Sequence, residues 1–94
     1  MKTLTISKPG KSKQDLLNAL KKIVNRYEDL IKGYNGEITE ITDGYKIYGK
    51  KFLFYLEAEI TAEDGKYIVK YDSNAPQHYI NKGIAMTTDT LKEV

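Results

Sequence analysis

Hydrophobic and polar positions repeat with two different periods along this chain. From Phe52 to Thr61 the period is two. Phe52, Phe54, Leu56, Ala58 and Ile60 point one way, and Leu53, Tyr55, Glu57, Glu59 and Thr61 point the other, the pattern of a half-buried strand. Asp64-Gly65 then reads as a two-residue type I′ turn, a geometry that needs φ > 0 at both central residues. A turn at that point sets the register of the return strand. Ile60 falls opposite Val69, Ala58 opposite Tyr71 and Ala62 opposite Tyr67, while Glu59 meets Lys70 on the other face and Glu63 meets Lys66 beside the turn. Apolar neighbours and opposite charges are both paired, and a one-residue slip would undo both.

From Ser12 the period becomes helical. Apolar residues at Leu16, Leu17, Leu20, Ile23, Val24, Tyr27, Leu30, Ile31 and Tyr34 form one continuous stripe. Lys21, Lys22, Asn25, Arg26, Asp29 and Lys32 occupy the opposite face. Ser12 with Asp15 approximates a capping box and puts negative charge in the first turn. Gly33 suits the C′ position, with Tyr34 as an apolar clip behind it. The spacing predicts a helix over 13–32 whose broad stripe lies on a sheet.

The remaining segments read as strands and turns. Strands are predicted at 37–42, 45–48, 51–62 and 66–72, forming a four-stranded antiparallel meander. A three-residue loop at Thr42-Asp43-Gly44, with Gly44 left-handed, places Thr39, Ile41, Tyr45 and Ile47 on one face. Gly49-Lys50 as a type II′ turn sets Ile47 opposite Phe52 and Tyr45 opposite Phe54. A short N-terminal strand at 3–7 ends at Pro9-Gly10. A short C-terminal helix at 75–82 takes Asn74 as its cap and Pro76 in its first turn, with Gly83 as its stop. The class is α+β, one domain over 1–94, with the long helix on one face of the sheet. Ile84–Thr88 fits strand and coil equally.

Composition narrows the function classes. The chain has 94 residues, no Cys and a net charge of +2. Without Cys there is no disulfide framework, no thiolate nucleophile and no Cys-based zinc site, which suits the cytoplasm. No apolar run approaches the roughly 20 residues of a membrane span, and the start of the chain lacks the apolar core of a signal peptide. Charge is uneven. Residues 1–34 carry eight basic against three acidic side chains, and residues 35–94 carry seven against ten.

No catalytic or metal signature stands out. Gly10-Lys11-Ser12 resembles the end of a phosphate-binding loop, but that motif needs Gly where Thr5 stands. Lys8, Lys11 and Lys13 at a helix start could hold an anion or simply be a solvated loop. His78 is the only histidine, and no orienting carboxylate is evident from the sequence. Glu57 and Glu59 share a strand face but have Lys70 opposite, which favours a salt-laced surface over a carboxylate pair. The expectation is a non-enzyme without cofactor or metal.

Three binding surfaces are candidates. The sheet face away from the long helix carries Ile38, Tyr48, Leu53, Tyr55 and Ile68 among charged residues, and aromatic patches of this kind mark contact sites. Tyr48, Leu53, Tyr55 and Ile68 are the candidate protein-binding residues, for another protein or for a second copy in a homodimer. The competing arrangement has Tyr79, Ile80, Ile84 and Leu91 of the C-terminal segment covering that face. Lys11, Lys13, Lys21, Lys22 and Arg26 are the candidate anion or nucleic-acid contacts, resting on charge asymmetry alone. A small-ligand pocket between helix and sheet would be lined by Tyr27, Tyr45, Phe54 and Tyr71.

The order of elements, with the runs TLTISKP, SKQDLLNALKKIVNRY, DGYKIYGKKFLFYLEAEITAEDGKYIV and YINKGIAMTTDTL, resembles the small polyhydroxyalkanoate granule-associated proteins. The likeness spans most of the chain and carries no catalytic residues across. The function expected from the residues is a small protein-binding or inhibitor module, of a kind that suits a phage- or plasmid-borne protein docking on a host protein. A nucleic-acid-binding accessory protein and a small-ligand carrier are the alternatives.

Overall fold

The computed structural model describes residues 1–33, 35–51 and 53–93, with backbone alone at Lys51. It contains five strands, β1 (Lys2–Ser7), β2 (Gly36–Ile41), β3 (Gly44–Lys51), β4 (Phe54–Glu63) and β5 (Lys66–Ser73), and two helices, α1 (Lys13–Gly33) and α2 (Gln77–Lys92). One antiparallel sheet runs in the order β1-β5-β4-β3-β2. The predicted meander is present as β2 to β5, and the N-terminal strand adds a fifth member on the free edge of β5. Tyr34 as the clip after α1, and Phe52 as the partner of Ile47, lie outside the described residues.

The β4–β5 hairpin has the expected register, with Ile60 opposite Val69, Ala58 opposite Tyr71, Ala62 opposite Tyr67 and Glu59 opposite Lys70. Its turn is not type I′, because only Gly65 of the pair adopts a left-handed φ, at 78°. Asp64 serves another element. Its Oδ1 accepts the backbone N–H of Lys13 at 2.7 Å, and Ser12 Oγ accepts that of Asp15 at 3.1 Å. These two acceptors satisfy the first turn of α1.

Both hairpins involving β3 differ from expectation. Ile41 pairs with Gly44 directly, and the left-handed residue is Asp43, at φ 62°. Gly44 lies within β3, opposite Thr61, and glycine is needed there because a Cβ would overlap the Ile60 carbonyl oxygen. The shorter loop reverses β2. Ile38 and Glu40 now share the face of Ile47 and Tyr45, while Thr39 and Ile41 lie on the other. Gly49-Lys50 is not a turn either, since β3 runs on to Lys51, opposite Phe54. Tyr45 therefore faces Ile60 and Ile47 faces Ala58. This register pairs β3 along nearly the whole of β4, where the shorter hairpin would leave the Ile60 end without a partner. The shift is an even number of residues, so every β3 and β4 side chain keeps its expected face.

α2 also departs from the prediction. It begins at Gln77 after Pro76 and runs through Gly83 to Lys92. Asn74 is not its cap. The Asn74 side chain instead accepts from Tyr55 N at 2.7 Å and donates to Leu53 O at 2.8 Å, bracing the end of β4 that extends past β5.

Both helices lie on the same sheet face and run antiparallel. α1 starts against Asp43 and Asp64 and ends where Gly36 packs on Ile31. α2 starts beside Ser73 and ends where Lys92 O accepts Lys8 Nζ at 2.9 Å. Where the start of α1 meets the end of α2, Ile6, Leu16, Leu20, Ala62, Tyr67 and Leu91 form a sealed core. Tyr67 is fully buried there, its hydroxyl donating to Leu16 O at 2.7 Å. Burial pushes the Tyr67 phenol up to about 12.

Candidate functional site

The opposite end of the same face is open. Phe54 and Leu56 alternate towards the helices as predicted, yet they remain 42% and 46% exposed. A cleft of about 370 Å³ lies there between α2 and the sheet. Leu4, Leu56, Ala58, Val69 and Tyr71 form its floor, and Tyr79, Ile80, Gly83, Ile84 and Thr87 of α2 form its wall. No residue of α1 lines it. The volume lies in the range of about 300–1,000 Å³ usual for small-molecule sites.

Local sequence explains the opening. Tyr79, Ile80, Gly83, Ile84, Thr87 and Leu91 fall at helical spacing and share one face of α2. Among them only Leu91 reaches the sealed core. At Gly83, a Cβ would meet nothing within 4 Å, so the middle of the helix spans a hollow. On α1, Leu30 stands about 180° around the helix from Lys21. Lys21 faces β2 and β3 with Gln14 and Leu17, so exposed Leu30 faces the α2 side of the helix.

The cleft lies under α2, and of the four residues expected to line a helix–sheet pocket two border it. Phe54 and Tyr71 line the cleft, whereas Tyr27 and Tyr45 are half-buried against the core cluster. Ile80 and Ile84, the candidate cover of the far face, line this cleft instead, and Gly83, which reads as a stop, lies inside α2 with Thr87 one turn beyond it. The stripe of α2, continued past Gly83, is the signal that could have revealed them.

The far sheet face carries Tyr48, Tyr55 and Ile68 in the expected alternation, and Ile38 does not belong to it. The C-terminal segment does not cover this face, since α2 packs beside α1 on the other side. Polar links cross it. Lys46 Nζ lies 2.7 Å from Glu57 Oε1, and Tyr55 OH donates to Asp72 Oδ2 at 3.0 Å. The bond to Asp72 and partial burial raise the Tyr55 phenol above its usual range, and the bond to Glu57 raises Lys46. Leu53 is 84% exposed and Tyr48 39% exposed.

The five basic residues do not form one patch. Lys13 Nζ pairs with Asp43 at 2.8 Å, which raises its pKa, and its backbone N–H is held by Asp64. The anion position at the start of α1 is thus filled by the protein's own carboxylate. Lys11 O accepts Gly65 N in the same loop. Lys21 lines a smaller pocket of about 250 Å³ beside Glu40 and Asp43, while Arg26 lies about 140° away around α1.

His78 stacks on Tyr79 at 4.1 Å between ring centroids. It does not line the cleft, and Glu57 and Glu59 lie on the opposite face of the sheet. Among the described residues no group of three His, Cys, Asp or Glu side chains could hold a metal ion, and no helix is long and apolar enough to cross a membrane. No protein-family model, curated protein or solved structure matches the chain.

Proposed function

We propose that this protein is a small non-enzymatic binding module that holds an apolar ligand in the cleft between α2 and the sheet. The observation that carries this reading is the unsealed half of an otherwise ordinary core. Phe54 and Leu56 occupy core positions by alternation, yet the helix above them stands off. A ligand seated there would supply the missing packing, and burial of apolar surface at about 25 cal/mol per Å² would drive its binding. The uncharged fluorophore N-phenyl-1-naphthylamine tests the idea. Its emission should rise on mixing, saturate at one molecule per chain and fall to the free-dye level with Gly83→Leu. A Cβ at Gly83 would meet nothing within 4 Å, so the larger side chain has room to begin in the cleft, and an unchanged circular dichroism spectrum would verify that the fold is kept. Absence of saturation, or a response indifferent to Gly83→Leu, would end the reading.

A second reading is contact with another protein, or with a second copy, through the far face. The exposure of Leu53 and Tyr48 favours it. A Leu53→Ser, Tyr48→Ser double variant should then lose association, measured by sedimentation velocity for self-association or by binding to a captured partner, at unchanged thermal stability. Retained association would remove this second reading.

A further inference from the structure

We propose that the ligand class of the cleft is an uncharged planar ring system, a fused aromatic bicycle or larger, seated where Phe54 and Tyr71 of the sheet meet Tyr79 of α2. This inference rests on the carrier reading above. Three observations select the class.

The first is the outline of the cleft. Its floor is built from Leu4 of β1, Val69 and Tyr71 of β5, Leu56 and Ala58 of β4, and Gly49 of β3. Those strands are adjacent in the sheet, and four of them span about 14 Å at ~4.8 Å from one to the next. The α2 wall runs from Tyr79 to Thr87, a length of about 12 Å. A slot as broad as it is long suits a plate better than a rod. A single extended alkyl chain would touch one lane of this floor and leave its neighbours wet, whereas a fused ring reaches across adjacent strands.

The second is the kind of side chain at the open end. Phe54, 42% exposed, and Tyr79, 57% exposed, both border the cleft, as does Tyr71. Phe54 and Tyr71 share the helix-facing side of the sheet, and Tyr79 belongs to the first turn of α2. Aromatic rings therefore stand on both sides of the slot. A ligand ring gains from offset-stacked or edge-to-face contact with them beyond its burial, and a saturated ligand does not.

The third concerns charge and polar groups. The hydroxyls of Ser73 and Thr87 line the cleft and are already bonded, Ser73 Oγ donating to Tyr55 O at 2.6 Å and Thr87 Oγ donating to Gly83 O at 2.8 Å. Lys50 borders the cleft but is the register partner of Tyr55, so its side chain projects from the far face. Lys2, Glu28 and Asp29 do not line the cleft. A charged ligand would lose its water here for little return.

Displacement of N-phenyl-1-naphthylamine by three uncharged ligands provides the test. 2-Naphthalenemethanol, its perhydrogenated form and undecan-1-ol each have eleven carbons and one hydroxyl. Transfer from water alone ranks the flexible alcohol first, because it has the most apolar surface to bury. The aromatic slot reverses that order. 2-Naphthalenemethanol should displace the dye about fivefold more tightly than its perhydrogenated form, as one or two aromatic pairs allow, and more tightly than undecan-1-ol. Joint Phe54→Leu and Tyr79→Leu substitution, with the dye affinity measured afresh, should bring 2-naphthalenemethanol to the level of its perhydrogenated form. Gly83→Leu should abolish displacement by all three. Tightest displacement by undecan-1-ol, or equal displacement by the two bicyclic alcohols, would overturn the planar-ring class while leaving the carrier reading intact. An aromatic preference that survives the double substitution would overturn the seat at Phe54 and Tyr79. Failure of the dye itself to bind would overturn both readings.

Discussion

At one end of the helical layer Leu16, Leu20 and Leu91 close over Ile6, Ala62 and Tyr67. At the other, Leu56 and Phe54 lie on the same sheet face with water against nearly half of their surface. The strands are continuous from one end to the other, so the difference comes from the helices. α1 follows β2, β3 and β4, while α2 is fixed near its two termini and spans a gap between them. Stability and binding capacity can therefore reside in separate halves of one sheet face. The closed half needs no ligand, and the open half can be altered with little harm to the fold.

The contrast can be broken most directly by truncating matched leucines. Leu20→Ala removes a side chain with no exposure and should cost about 2–5 kcal/mol in urea unfolding. Leu56→Ala should cost about 1 kcal/mol or less, because a half-exposed leucine leaves no sealed cavity. Equal losses would mean that the cleft is closed in solution.

Alkaline titration gives a next, somewhat smaller effect. The folded Tyr67 phenol titrates near 12, above the 10.0 of a free tyrosine. The folded state then holds a proton that the unfolded chain releases. Its contribution is complete below pH 10 and is lost as pH rises from 10 to 12, about 2–3 kcal/mol in all. Tyr67→Phe should flatten that part of the stability curve. A curve of unchanged slope in the variant would place Tyr67 in water.

The smallest effect should come from Gly83→Ala, which sharpens the picture of the open half. In a helix this exchange stabilises by about 0.5–1 kcal/mol where the new methyl meets no obstacle. Thermal unfolding should therefore move upward by a few degrees. A downward shift would mean that α2 sits closer to the sheet than the cleft requires.

Much of the fold was legible because local and long-range signals agreed. The α1 stripe, the Ser12 cap and the β4–β5 register each follow from spacing, and each is observed. The errors cluster at glycines. Gly44, Gly49 and Gly83 all read as punctuation, and all three lie inside regular elements. Gly44 is there because the Ile60 carbonyl leaves no room for a side chain, and Gly36, opposite Gly49 in the ladder, because Ile31 leaves none either. A glycine can mark a bend or a close approach, and only the neighbouring chain tells them apart. The cleft stayed hidden for a related reason. A helix that stops at Gly83 leaves half of the α2 apolar stripe with no helix to belong to. Even the full stripe does not say which sheet face it will choose.

The position of β1 has a consequence for the order of assembly. Its one strand neighbour is β5, formed by Lys66–Ser73. As the chain leaves the ribosome, the first strand must wait through the making of α1 and three further strands before a partner exists. Until then the sheet offers β1 no strand to pair with, although β1 is translated before every other strand of that sheet.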